Sequence, residues 1–484
     1  MKKSKRTYLT GDCTIKIVGS LVMILFFIGG PSCSQDTGPK ETEAGTPVTD
    51  KQEIKVPYVT NNWPQFRGQR ATGIAMDQDL PLTWDVEKGT NILWKTAIPG
   101  LGHSSPVIWG DKVFVTTAEG EGKEAYLKVG RYGESPDNPE DYTHHYRLYC
   151  LDRKTGEILW EKTATSGKPK VARHIKSSHA NSTPATDGRH VLAFFGSQGL
   201  YCYDLDGNLL WTRDLGYLDA GAFDYPEIQW GFGSSPVIHE DRVIVVCDVN
   251  NQSFIASLDL HSGEDVWRTL RDEGPTWCTP TVYKTEEYSQ IYVNGYRHIG
   301  AYDLETGKEV WWMRGGGDVP VPTVVISHEL AFITNAHGRM RPIYAVKLEA
   351  KGDITLERNE KSNEFIPWFY PRQGAYQPTP LVYGDFLYVG NNSGVLGCYK
   401  VESGEEMYRE KIGGDLSSYS ASPVAADGKL YFTDEYGNVN IIKAGPRYEH
   451  LATNKIGEIC MASPAIAGKT MIVRARRHVF AIAK

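Results

Sequence analysis

The chain has 484 residues, with 59 acidic and 52 basic side chains, a formal net charge of −7 and 40% hydrophobic residues. An acidic balance of this kind excludes a binder held to nucleic acid by charge, and the apolar content excludes a largely disordered chain. The 49 glycines, 26 prolines and 12 tryptophans suit many short strands joined by tight turns.

In chain order, Lys2, Lys3, Lys5, Arg6 and Lys16 precede an apolar stretch from Ile17 to Ile28, followed by small residues and Cys33. This pattern predicts a signal peptide over residues 1–32, too short for a membrane span. Cys33 follows Ser32 as the lipid-modified first residue of a bacterial lipoprotein does, although Gly30-Pro31-Ser32 lacks the usual aliphatic residue. Residues 33–60 are polar and contain Pro and Gly, which predicts a flexible tether. Loss of residues 1–32 removes five Lys/Arg and one Asp, and the formal charge falls from −7 to −11.

From residue 61 onward a repeat governs the chain. Pro106, Pro184, Pro236, Pro280, Pro322, Pro380, Pro423 and Pro464 each open an apolar run, at intervals of 78, 52, 44, 42, 58, 43 and 41 residues. The shorter intervals set the unit and the longer ones carry insertions. Each unit reads as four short strands, and its best copies end in segments such as Leu148–Trp160, Ile255–Trp267 and Ile299–Trp311. A lone unit cannot bury both faces of its sheet, so the units must stack radially. The last unit supplies only three strands before the chain ends, and Asn91-Ile92-Leu93-Trp94 matches the missing one. The expectation is an all-β fold: a single eight-bladed β-propeller over residues 61–484, closed by an N-terminal strand that completes the last blade and leaves few free edges. Copy five offers Leu356-Glu357, and copy seven His450-Leu451, where tryptophan is expected.

Of the eight cysteines, Cys150, Cys202 and Cys398 fall at one position in the third strands of three blades, where a small buried side chain fits. Cys247, Cys278 and Cys460 have no assigned place, and a pair among them stays open.

Tight turns join strands one to two and three to four, so both sets lie on one face of the ring. The expected insertions, near 119–146, 161–182, 212–234, 335–341 and 358–377, therefore decorate the other face, where a binding site is expected. The segments before the repeat prolines reach the same face and supply His103, His179, Asn181, Trp230, Trp277, Tyr376, Gln377 and Tyr419. Such aromatic and polar groups around a channel mouth can stack a sugar ring or a flat cofactor, or simply plug the channel. Arg339 and Arg341 beside His337 can receive a carboxylate or phosphate. His144, His145 and His174 are candidate metal ligands, though their spacing fits no compact motif.

The unit apolar-x-x-x-Asp-x-x-Thr-Gly-x-x-x-Trp at 148–160 and 299–311 resembles the tryptophan-docking repeat of the pyrroloquinoline-quinone-type β-propellers. Asn62-Trp63-Pro-Gln-Phe-Arg67-Gly68 is similar to the start of exported bacterial members. One branch of that family implies an alcohol or sugar dehydrogenase, with the quinone between a tryptophan and a disulfide of adjacent cysteines, beside calcium and a catalytic aspartate. This chain has no adjacent cysteines. The other branch, the propeller lipoprotein of the outer-membrane barrel-assembly machinery, implies partner binding without catalysis. The leading expectation is a non-catalytic, monomeric envelope propeller held to the membrane by a lipid anchor, needing no cofactor, and binding an envelope protein or a glycan at its loop-rich face. A quinone dehydrogenase using pyrroloquinoline quinone and calcium is the alternative, and a carbohydrate-active or metal-dependent enzyme on that face is the second.

Overall fold

The structure is a computed structural model, and it describes residues 61–131, 137–138, 140–222 and 225–484. The expected signal peptide, tether and Cys33 lie outside the described residues. Helix among the described residues amounts to two 3-10 turns, Gln69–Ala71 and Gly196–Gln198. Eight antiparallel units of four strands form the blades, two of them extended by one parallel strand. Blade one is Val107–Trp109, Lys112–Gly120, His144–Asp152 and Ile158–Gly167, and each later blade repeats this order outward from the axis. Blade eight is completed by Ile92–Ala97, antiparallel to His478–Ile482, which closes the ring as the sequence predicts.

Tryptophans in the fourth strands lock neighbouring blades. The indole Nε1 of Trp94, Trp160, Trp211, Trp267 and Trp368 donates to the carbonyl of Arg153, Leu205, Leu260, Leu304 and Val401 in the next blade, at 2.8, 3.1, 2.8, 3.0 and 2.9 Å. Each indole lies over a turn glycine of that blade. At Gly156, with φ of 76°, a Cβ would meet the Trp94 ring at 2.5 Å, so only glycine admits the indole.

Blade five departs from the sequence reading. Its docking residue is Trp368, in the fourth strand Trp368–Tyr370, and not the Leu356-Glu357 pair. Residues 348–367 are an insertion between its third and fourth strands. Within them, Gly352–Asp353 pairs parallel to the outer strand of blade four. Much of the insertion expected at 358–377 therefore belongs to a connection on the tight-turn face. Pro322 is also out of register, because Val324 stands where the other blades have their proline. In blades six and seven Tyr408 and Ala452 pair where the indole would sit, so the blade-seven equivalent is Ala452 rather than His450-Leu451.

The segment before the closing strand plugs the channel from the tight-turn face. Trp63 bridges to Ile108 of blade one, Thr186 of blade two donates its N–H to Pro64, and Ile74–Ala75 runs parallel to Val424–Ala426 of blade seven. At its centre the fully buried Arg67 donates Nη1 to Pro423 O (2.6 Å), Nη2 to Pro380 O (2.8 Å) and Nε to Ala71 O (3.2 Å). Burial lowers its pKa to about 9. The six described cysteines are free and buried, so no disulfide joins Cys247, Cys278 and Cys460.

Candidate functional site

Above the plug, the channel opens at the loop-rich face into a cavity of about 850 Å³. Its floor is Phe66 of the plug segment. Its lower wall is a ring of hydroxyls, one per blade: Ser105, Thr183, Ser235, Thr279, Thr323, Thr379, Ser422 and Ser463. These residues lace the blades together. The N–H of Ser105, Thr183 and Ser235 each donates to the hydroxyl of the next blade at 3.0, 2.9 and 3.1 Å. Thr323, Thr379 and Ser422 do the same at 3.1, 3.0 and 2.8 Å. No such bond joins Thr279 to Thr323 or Ser463 to Ser105 among the described residues.

His103, Asn181, Trp230, Trp277, Tyr376 and Gln377 line the cavity, as the sequence suggests. Trp230 and Trp277 stand with ring centroids 5.6 Å apart and planes 32° apart, and Trp277 Nε1 donates to Gly231 O at 2.7 Å. Asn181 Nδ2 donates to Ser177 Oγ and Phe232 O, which fixes the loop between blades one and two. Tyr376 stacks on His337 with centroids 5.8 Å apart. His103 Nε2 donates to Lys176 O at 3.1 Å. Burial, assisted by the charges of Arg173 and Arg474, pushes the His103 pKa down to about 3. His174 also lines the cavity, and burial lowers its pKa to about 4.

Three expected residues lie elsewhere. Tyr419 is buried between blades, where its hydroxyl accepts from Asn440 Nδ2 at 3.0 Å, because its backbone turns the ring inward. Arg339 is exposed on its loop tip, and Arg341 and Arg372 take the lining positions instead. His179 turns away from the cavity toward a buried carboxylate, Glu140. The sequence reading also missed Phe66, Lys176, Arg372 and Arg409 on the cavity wall.

The described part of the insertion between the second and third strands of blade one, residues 121–131 and 140–143, forms a strap over the mouth. It crosses blade eight, where Arg476 and Arg477 hold Glu124 at 2.9 and 2.8 Å, and reaches blade seven, where Gly130 N–H donates to Glu435 at 2.7 Å. Lys176 pairs with the same buried Glu435 at 2.5 Å. At the base of the strap, Glu140 receives a two-pronged contact from Arg173, Nη2 to Oε1 at 2.7 Å and Nε to Oε2 at 3.0 Å. His144 Nε2 and His179 Nε2 face Glu140 Oε2 at 3.3 and 3.1 Å. Burial opposes the charge of Glu140, but its close contacts with His144, His179 and Arg173 outweigh it and hold the carboxyl well below the usual range. His145 is not part of this group. It neighbours His144 on a strand, so it points to the opposite face, where Nδ1 meets Ser166 Oγ at 2.8 Å.

The donors around the cavity do not fit a quinone–calcium pair. The two indoles face one another, no described cysteine lines the space, and the one lining carboxylate among the described residues, Asp318, already contacts His337 Nδ1 at 2.8 Å. Calcium requires six to eight oxygen ligands.

Comparison with known proteins agrees with this architecture. No curated protein matches the sequence at a significant level. Among solved structures, a europium-containing methanol dehydrogenase superposes with a TM-score of 0.63 at 12% identity, covering 88% of this chain and 98% of its own. BamB from Moraxella catarrhalis gives 0.54 at 14% identity, covering 81% and 97%. The quinohemoprotein alcohol dehydrogenase from Comamonas testosteroni gives 0.58 at 12% identity, covering 89% and 82%. At such identities these likenesses establish the fold alone. The sequence profile of one family matches residues 74–276, 144–313 and 228–446, overlapping spans that together take in most of the ring, and the chain thus belongs to the family described as outer membrane protein assembly factor BamB, with its PQQ-like propeller repeats.

Proposed function

We propose that this chain is a binding propeller of the bacterial cell envelope, tethered through a lipidated Cys33, whose cavity holds a saccharide segment that carries acidic groups. The single observation behind this reading is the composition of the cavity of about 850 Å³. It combines the aromatic faces of Trp230, Trp277 and Tyr376 with the planar amides of Gln377, Asn391 and Asn392. Aromatic faces stack on sugar rings, and amides exchange paired hydrogen bonds with hydroxyls. At the rim, the exposed Arg341 and Arg372 have no ion-pair partner among the described residues, and a guanidinium matches a carboxylate in two-pronged geometry. The charged leader, the apolar stretch and the family together favour an envelope location.

The test is calorimetric titration of the purified chain with neutral and uronic-acid-containing oligosaccharides, and in parallel with pyrroloquinoline quinone with and without calcium. The expected result is binding of the acidic saccharides, weakened at least tenfold by Trp277→Ala and by the double change Arg341→Glu and Arg372→Glu. Stoichiometric quinone binding with dye reduction in the presence of alcohols would replace this reading by a dehydrogenase.

A further inference from the structure

At the base of the strap two buried imidazole nitrogens converge on one carboxylate oxygen. His144 Nδ1 lies 3.1 Å from Tyr142 O, an atom that only accepts, so Nδ1 carries the proton and the tautomer is assigned. The other ring nitrogen, Nε2, points at Glu140 Oε2 from 3.3 Å. Glu140 is ionised, since Arg173 grips both its oxygens. The site is enclosed, with His144 and Glu140 1% and 8% exposed. His179 Nε2 converges on the same oxygen from 3.1 Å, and both imidazole Nε2 atoms are buried without a hydrogen-bond donor or acceptor of good geometry.

We propose that Glu140, His144 and His179 bind a divalent transition-metal ion of the zinc type. Two ligand atoms about 2.05 Å from a tetrahedral zinc stand about 3.3 Å apart, which matches both nitrogen-to-oxygen separations above. The ligand atoms of all three residues lie within 4.8 Å of one another. His144 also has the support that metal-ligating histidines use, its second nitrogen donating to a backbone carbonyl, and Arg173 orients the carboxylate from behind. Two nitrogens and one oxygen select zinc, cobalt or nickel over calcium and magnesium, which prefer oxygen.

The consequence is mechanical. Glu140 ends the strap, His144 begins the third strand of blade one, and His179 belongs to the connection toward blade two. An ion there fastens the strap to the wall that carries His103, His174 and Lys176. This inference does not depend on the identity of the cavity's ligand.

The test starts from the purified chain, stripped with a chelator and dialysed against zinc. Elemental analysis is expected to give one zinc per chain, and the melting temperature is expected to rise with zinc concentration and fall again with chelator. Cobalt is expected to give the intense visible bands of a tetrahedral nitrogen–oxygen site. His179→Gln and Glu140→Gln should each abolish the stoichiometric zinc and the cobalt bands, while His145→Gln leaves both unchanged. Should either variant fail to fold, the cobalt spectrum and chelator response of the unaltered chain still decide the matter. No retained zinc and a melting temperature indifferent to zinc and chelator would overturn the proposal. Zinc that survives His179→Gln but not His145→Gln would overturn it as well, by placing the ion on the outer face of the strand.

Discussion

If the turn glycines exist because an indole covers them, Trp94 and Gly156 must be energetically coupled, and a double-mutant cycle measures that coupling. Trp94 is 7% exposed and its Nε1 bond to Arg153 spans 2.8 Å. Trp94→Ala should cost about 4 kcal/mol in lost burial and cavity formation, with the hydrogen bond contributing about 1 kcal/mol of that. Gly156→Ala carries two costs: about 1–2 kcal/mol for a left-handed backbone with a side chain, and the expulsion of the indole that a Cβ would approach to 2.5 Å. The second cost disappears once the indole is gone. The double variant should thus be about 1.5 kcal/mol or more better than the sum of the singles, well beyond the spread of about 0.5 kcal/mol seen for independent sites. Denaturant unfolding followed by far-ultraviolet circular dichroism reads this, because that signal does not depend on the deleted tryptophan. For a ring of roughly 420 residues, with about 2.1 cal/mol/K of unfolding entropy per residue, the Trp94→Ala loss is about 4–5 °C in melting temperature. Additive behaviour within 0.5 kcal/mol would refute the docking account of the glycines.

Other outcomes follow from the plug and the buried groups. Arg67→Met leaves the carbonyls of Pro380 and Pro423 buried without donors, at about 1–3 kcal/mol each, and Arg67→Lys should rescue little because an ammonium cannot reproduce the fork; equilibrium unfolding compares the two. His103 is held neutral in the folded ring with its pKa at about 3, while the unfolded chain takes up the proton near 6.5. The unfolded state then binds more protons between these values, so stability falls as pH drops from 6.5 toward 3, and His103→Gln should flatten that part of the melting profile. A thiol reagent should find none of the six described cysteines in the native ring and all six in denaturant, since burial pushes thiols such as Cys150 and Cys278 up to about 12.

The ring was legible in the sequence because its parts are local. A proline, a pair of tight turns and a tryptophan recur within one unit, and the strand missing at the C-terminus has its counterpart at Trp94. What escaped was carried by contacts remote in the chain or by units that lost their spacing. Arg67 reaches Pro423 across 356 residues, and nothing near it in sequence announces that partner. The insertion in blade five displaced Trp368, so the drift was read as a lost tryptophan. Six of the cavity residues were found because each sits just before a repeat strand, on the face the insertions crowd. Tyr419 occupies an equivalent place and fails because its ring packs between blades. Glu140 was missed for want of a repeat partner, yet a carboxylate four residues before His144 was the available signal.

The hydroxyl lacing divides the eight blades into two sets of four, one to four and five to eight, with the breaks on opposite sides of the ring. The break between blades eight and one is sewn by Trp94. The break between blades four and five is fastened differently: Thr281 Oγ1 donates to Val324 O at 2.6 Å, Asn294 Nδ2 donates to Pro322 O at 2.8 Å, and Gly352–Asp353 pairs with the outer strand of blade four, while Trp311 Nε1 is buried without a hydrogen-bond partner. A ring built this way is a bracelet of two laced half-circles held together by unlike fasteners, an indole on one side and an asparagine with a paired strand on the other.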